Sequence, residues 1–154
     1  MGVRMPAILG DVVTLSDLML IDAALPDGAT LEEAASHARP SAVIGGGERL
    51  AVAWELFGLG RRAESLSYRF SVEKADGGLL RTAGRMLGLV RPLSNQRLEW
   101  QEVGPDRPGP LLRTVEIELP GAGPGKYVVR LEIEIPGRTP LLKTKTVEIR
   151  PGRR

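Results

Sequence analysis

Apolar and polar residues alternate one by one in four separate stretches of the chain. In Glu64–Glu73 the apolar set is Leu66, Tyr68, Phe70 and Val72, with Ser65, Ser67, Arg69 and Ser71 between them. Arg49–Phe57 places Leu50, Val52, Trp54 and Leu56 on one face and Ala51, Ala53, Glu55 and Phe57 on the other. Thr114–Leu119 sets Val115, Ile117 and Leu119 against Thr114, Glu116 and Glu118. Tyr127–Ile135 sets Tyr127, Val129, Leu131, Ile133 and Ile135 against Arg130, Glu132 and Glu134. A period of two marks a strand with one face in a core. Asp11–Ile21, in which Leu18 and Leu20 share a face, also reads as a strand. So do Leu98–Val103, with Leu98 and Trp100 on one face, and Leu141–Ile149. Ser41–Ile44 reads as a short strand closed by Gly45-Gly46-Gly47.

Gly- and Pro-rich turns separate these stretches at Pro26-Asp27-Gly28, Gly58-Leu59-Gly60, Asp76-Gly77-Gly78, Gly104–Pro110, Pro120–Gly125 and Pro136–Pro140. Thr30 followed by Glu33 fits a capping box and predicts a short helix from Leu31 to about His37, stopped by Pro40. Within Lys74–Arg97, Leu79, Leu80, Ala83, Met86, Leu87 and Val90 recur at helical spacing. That segment reads as a short helix across one end or as an irregular linker. No alternation of strand and helix supports a parallel sheet. The pattern predicts an all-β, immunoglobulin-like antiparallel sandwich of about seven or eight strands with one or two short helical segments. Trp54, Tyr68, Phe70, Trp100, Val129 and Leu131 share its core. The expectation is a single domain over residues 1–154, ordered over about 12–150, which can be a piece of a longer protein.

Composition narrows the function more than the fold. The 154 residues are 42% hydrophobic and 26% charged, ordinary for a globular chain. Twenty-one Lys and Arg against 19 Asp and Glu leave a formal charge of +2, and no basic tract is interleaved with aromatics, so nucleic acid is not an expected partner. The absence of cysteine excludes disulfides and thiolate metal sites. No apolar run reaches the length of a membrane span, and Met1–Gly10 lacks the apolar core of a signal peptide. An export signal would have to lie on a part outside this chain.

The candidate motifs yield to plainer readings. Gly58-Leu59-Gly60-Arg61-Arg62-Ala63 matches a dinucleotide fingerprint, but a strand pattern follows where a helix is required. Gly45-Gly46-Gly47 lacks the Lys-Ser/Thr of a phosphate loop. His37 is the only histidine, lies in a polar segment, and has no nucleophile elbow to serve. Asp11, Asp17, Asp22 and Asp27 form no calcium loop. Glu116 with Glu118, and Glu132 with Glu134, stand two apart on strands and form solvated faces. No catalytic, cofactor-binding or metal-ligating set emerges, and no cofactor is expected. Phe57 is the one aromatic facing away from the core. With Leu59, Arg61 and Arg62 it makes an Arg-rimmed apolar patch, either an interface or a lid over the sandwich end.

Pro124-Gly125-Lys126-Tyr127, opening an alternating strand, resembles the tyrosine corner of immunoglobulin-like folds, which implies a bond from the Tyr127 hydroxyl to backbone within the Leu119–Gly125 corner or just before it. Leu15–Leu20, Leu50–Leu59, Leu98-Glu99-Trp100 and the Pro-Gly-Lys-Tyr strand, in that order, resemble the C-terminal β-sandwich region of bacterial GWxTD-domain proteins over roughly residues 12 to 150. The GWxTD signature itself does not occur, and Ala122 stands where a larger apolar residue usually plugs the corner. The resemblance implies a non-catalytic interaction or structural module of a larger exported bacterial protein. Its partners would be other domains of the parent chain or another protein, without membrane insertion. The alternatives are a small-ligand or carbohydrate-binding module and, with least support, an enzyme.

The last hairpin carries a conflict of parity. Pairing across Pro136–Pro140 that sets Lys143 opposite Glu134 and Lys145 opposite Glu132 turns odd-numbered residues outward, yet Val147 and Ile149 are odd and apolar. A β-bulge between Lys145 and Val147 resolves it. The alternative is that both lysines share the core-side face and reach past its rim.

Overall fold

The computed structural model describes residues 12–75 and 96–152. Asp11, most of the Lys74–Arg97 segment with its helical spacing, and Arg153 and Arg154 lie outside them. Among the described residues nine strands and one helix follow in order: β1 (Thr14–Leu15), β2 (Met19–Ile21), α1 (Leu31–Ser36), β3 (Val43–Gly45), β4 (Leu50–Phe57), β5 (Ser65–Lys74), β6 (Gln96–Val103), β7 (Leu111–Ile117), β8 (Gly125–Glu134) and β9 (Leu141–Arg150). They form two packed sheets, the all-β sandwich that the alternation predicts. The ninth strand arises because the first predicted strand is interrupted into β1 and β2. The short strand predicted at Ser41–Ile44 is β3, which runs parallel to β9, the one parallel pair in the described sheets.

In the first sheet β7 pairs with β4 along Leu50–Leu56, filling one edge of β4. On its other edge β1 and β2 pair in succession, antiparallel to β4. Between Leu15 opposite Leu56 and Met19 opposite Ala53, the first chain advances by four residues while β4 advances by three. That extra residue is a β-bulge. Ser16 holds it: its N–H donates to the Glu55 carbonyl at 2.9 Å, and its Oγ accepts from the Glu55 N–H at 2.9 Å. The bulge reverses parity, so Val13, Leu15, Leu18 and Leu20 all point into the same core.

Both faces of β4 are covered. Leu50, Val52, Trp54 and Leu56 enter the main core between the sheets. Ala51 and Ala53 face the other way, where Ile21 and Ala34 of α1 close over them in a second small core. Alanines there let the helix lie against the strand. Helix α1 starts with the predicted capping box, in which the Glu33 N–H donates to the Thr30 hydroxyl at 3.2 Å and the Thr30 N–H to the Glu33 carboxylate at 2.6 Å.

The second sheet runs β3-β9-β8-β5-β6. Leu66, Tyr68, Phe70, Val72, Tyr127, Val129, Leu131 and Ile133 fill its inner face. Trp54, Tyr68 and Trp100 meet as an aromatic cluster, with Tyr68 and Trp100 stacked at 4.8 Å and Trp54 tilted against both. The buried Trp54 indole N–H finds no protein acceptor, a cost of about 1–3 kcal/mol carried by the surrounding apolar burial.

The last hairpin does not follow the bulged register. Its ladder runs unbroken from Gly125 opposite Ile149 to Ile133 opposite Leu141. Lys143 stands opposite Leu131 and Lys145 opposite Val129, so neither faces Glu134 or Glu132, and no bulge separates Lys145 from Val147. All the odd residues of β9 point inward. The inward face is sealed only at its Val147–Ile149 end, where both residues are buried; Lys143 and Lys145 are half-buried. The Lys143 Nζ emerges past the rim to pair with Asp17 at 2.8 Å, which holds the Asp17 carboxyl below its ordinary range.

The tyrosine corner forms as predicted. The Tyr127 ring is buried, and its hydroxyl donates to the Gly123 carbonyl at 2.9 Å across the turn that Ala122 closes. Replacing Tyr127 by Phe should therefore cost about 1 kcal/mol, the net value of such a bond. The urea midpoint reads this; an unchanged midpoint would mean that the hydroxyl contributes nothing.

Candidate functional site

The residues singled out around Phe57 do not form one surface. Gly58 (φ +88°) and Gly60 (φ +97°) turn the chain sharply, and a Cβ on either would fall within 2.2 Å of the Val12 or Arg107 carbonyl oxygen. This accounts for the Gly-x-Gly spacing by packing: the turn leads into β5, and no helix follows. The same turn directs Leu59 inward, where it is 2% exposed and plugs the core. The four-residue patch is thus corrected to Phe57, 41% exposed, beside the exposed Arg61 and Arg62. Nearby, Arg138 grips the buried Glu64 through two bonds, of 2.7 and 3.2 Å, and Arg62 approaches the same carboxylate at 3.5 Å. This end is an ion-pair clasp.

His37 is exposed at the C-cap of α1, where its carbonyl accepts from the Asp22 N–H at 3.0 Å. Its observed role is local. Among the described residues no three His, Asp or Glu converge as metal ligands. Several carboxylates elsewhere are held by arginines. Arg69 reaches Glu99 at 3.1 Å, Glu132 at 3.2 Å and Glu134 at 3.7 Å across the outer face of the second sheet. Arg49 bridges Glu116 and Glu118. Hydrogen bonds from Arg138 depress Glu64, those from Arg97 and Arg69 depress Glu99, and the Ala24 N–H with Arg49 depresses Glu116. A general acid needs the opposite shift.

The open side of the sandwich, between β6 and β7, is different. A cleft of about 330 Å³ is lined by Leu98, Trp100 and Val115, with Glu102, Arg113 and Asp27 around them. That is the low end of ligand-pocket sizes, suited to a few side chains. Arg113 points inward from β7 and donates through Nε to both oxygens of Glu102, at 3.0 Å each. The Tyr68 hydroxyl donates to the same carboxylate at 2.5 Å. Burial first, and then Glu102, push the Tyr68 phenol far above its ordinary range, so it stays a donor. This triad joins the two sheets beneath the cleft.

Above the triad lies β6, five of whose eight residues are exposed: Arg97, Leu98, Glu99, Gln101 and Val103. Among the described residues it pairs only with β5. Sequence pattern placed Leu98 and Trp100 on one face, but it gave no sign that this face overhangs the first sheet. Arg113 and Val115, which complete the cleft, are remote in sequence and joined to β6 only by the fold.

No family profile matches this chain, and neither does any curated protein. Solved structures do resemble it. A β-glucosidase from Erythrobacter marinus superposes at a TM-score of 0.52 with 10% identity, over 90% of this chain and 15% of that one. An alkylpurine DNA glycosylase from Pseudomonas fluorescens, bound to DNA with an abasic site analog, superposes at 0.49 with 14% identity, over 90% and 30%. The sporulation control protein Spo0M from Bacillus subtilis superposes at 0.43 with 11% identity, over 92% and 50%. This chain therefore spans half or less of each neighbour. The first likeness supports the sandwich fold and nothing about chemistry.

The Glu64–Arg138 clasp yields a pH prediction. The folded Glu64 carboxyl lies below its ordinary value of 4.5, so the pair stabilises fully above about pH 4.5 and is lost as the pH falls through the lower folded value. Glu64→Gln should thus be destabilised at neutral pH, with the deficit narrowing in acid, as read by urea midpoints at both. An equal deficit at both would assign the loss to packing.

Proposed function

We propose that this chain is a non-catalytic interaction module of a larger, exported bacterial protein, and that it takes up an extended protein segment along β6 and the cleft beside it. The observation that carries this reading is the difference between the sheet edges. Free strand edges invite pairing, and proteins blunt them with bulges, inward charges or cover. The β1–β2 edge is bulged at Ser16. At the other end of the second sheet β3 covers Glu148–Arg150, and the rest of the β9 edge carries the inward Lys143 and Lys145. No residue of β7 is exposed, and the Ala24 and Leu25 N–H groups bond to Glu116 and Thr114 on it. Strand β6 has no proline and an unbroken ladder with β5, and its one inward charge, Glu102, is neutralised by Arg113. An extended segment laid on it gains backbone bonds from the edge and specificity from side chains in the cleft. The exported setting rests on the resemblance to GWxTD-domain sandwiches; no helix among the described residues is long and apolar enough to cross a membrane.

A small-ligand or carbohydrate reading draws on Trp100, half-buried in the cleft near Asp27 and Arg113. Its stacking on Tyr68 already uses one ring face, which makes it the weaker platform. Display of random linear peptides and a glycan array separate the two readings. Selected peptides should bind the wild type and lose at least about tenfold, ~1.4 kcal/mol, in Leu98→Arg. Peptides indifferent to Leu98→Arg, or glycans that quench tryptophan fluorescence in place of peptide binding, would overturn the proposal.

A further inference from the structure

We propose that the extended segment β6 fits is the β6 of a second copy of this chain, paired antiparallel about a two-fold axis at Leu98. This rests on β6 being the docking edge and adds who docks there. The outer row of β6 is Arg97, Glu99, Gln101 and Val103, and the inner row is Gln96, Leu98, Trp100 and Glu102. Arg97 and Arg69 of the same chain already reach the Glu99 carboxylate, and an antiparallel strand that extends this alternation of charge places a cation opposite Glu99, an apolar residue opposite Leu98 and an anion opposite Arg97. Read in its own direction that strand is Arg/Lys–apolar–Asp/Glu, and β6 itself reads Arg97-Leu98-Glu99.

The register follows from charge. Centring the pair on Glu99 sets two carboxylates face to face, which is destabilising. Centring it on Trp100 sets Glu102 against Leu98 and Arg97 against Val103, and forms no ion pair. Centring it on Leu98 sets Arg97 of each copy opposite Glu99 of the other, Leu98 against Leu98, and Gln96 against Trp100. The contact is isologous and closes on itself, so it ends at a dimer and joins the two five-stranded sheets into one.

Sedimentation equilibrium of the intact chain tests this. The wild type should shift toward the dimer mass as concentration rises. Arg97→Glu alone sets glutamates opposite Glu99 twice, and Glu99→Arg alone sets arginines opposite Arg97 twice, so each should be monomeric. Mixed in equal parts they should recover the dimer, because every opposed pair is then oppositely charged. Should Glu99→Arg fail to fold beside Arg69, cross-linking replaces it. The chain has no cysteine, so Leu98→Cys should form an interchain disulfide across the axis under mild oxidation. Val103→Cys, more exposed at 73%, should not. A wild type monomeric at every concentration, a mixture that stays monomeric, or equal cross-linking of the two cysteine variants would overturn the proposal. If displayed peptides still bind in a Leu98-dependent way, only self-pairing fails and the interaction reading stands.

Discussion

Strand β4 is buried on both faces, and the rest of the domain is arranged around that constraint. Its large residues Leu50, Val52, Trp54 and Leu56 must face the second sheet, and its small ones, Ala51 and Ala53, must meet a cover on the other side. The cover is α1, with Ile21 of β2 beside Ala51 on the covered face; the helix is too short to be stable alone and owes its place to that contact and its capping box. For Ile21 to face the cover while Val13, Leu15, Leu18 and Leu20 face the main core, the first strand has to change parity. The bulge at Ser16 makes that change.

The same parity rule shapes the edges. A bulge that serves the core also twists the β1–β2 edge out of a regular ladder. The inward lysines of β9 cost little because the Lys143 head leaves the rim and meets Asp17, and their charge discourages a further strand there. On the opposite side, Arg113 and Glu102 fasten β7 to β6 from within, and among the described residues no strand pairs with the outer edge of β6. Strand addition is physically cheapest at an edge that meets no bulge, inward uncompensated charge or covering strand, and among the described residues β6 is such an edge.

What could be read from the sequence divides by range. Thr30 with Glu33, and Tyr127 after Pro124-Gly125, were legible because the bonding partners lie within four residues. The alternating faces of Glu64–Glu73 and Tyr127–Ile135 were legible because one face of each meets the core along its length. The conflict of parity was visible too, but it was read onto the wrong strand. Val13 and Leu15 against Leu18 and Leu20 are apolar residues of mixed parity, whereas Lys143 and Lys145 share their parity with Val147 and Ile149 and differ from them only in polarity. A strand covered along its whole length must bulge, whereas one covered only at one end can leave lysines at the other. How far the opposite sheet extends is a non-local fact. Leu59 reads as part of the exposed patch because it neighbours Phe57 in the turn, but two positive-φ glycines fold it under the sandwich end. The β6–β7 cleft needs Trp100 and Val115 brought together by sheets whose stacking no local pattern encodes.

The central claim, that β6 is the edge at which one copy of this domain meets another, is tested most directly by mapping backbone amide shifts as the protein is concentrated from micromolar to near-millimolar. The account predicts progressive shifts confined to Gln96–Val103 and to Arg113 and Val115 across the cleft, with the amides of Leu141–Thr146 on the guarded β9 edge unmoved. Shifts centred on β9, on β1 and β2, or on the Phe57 end would contradict it.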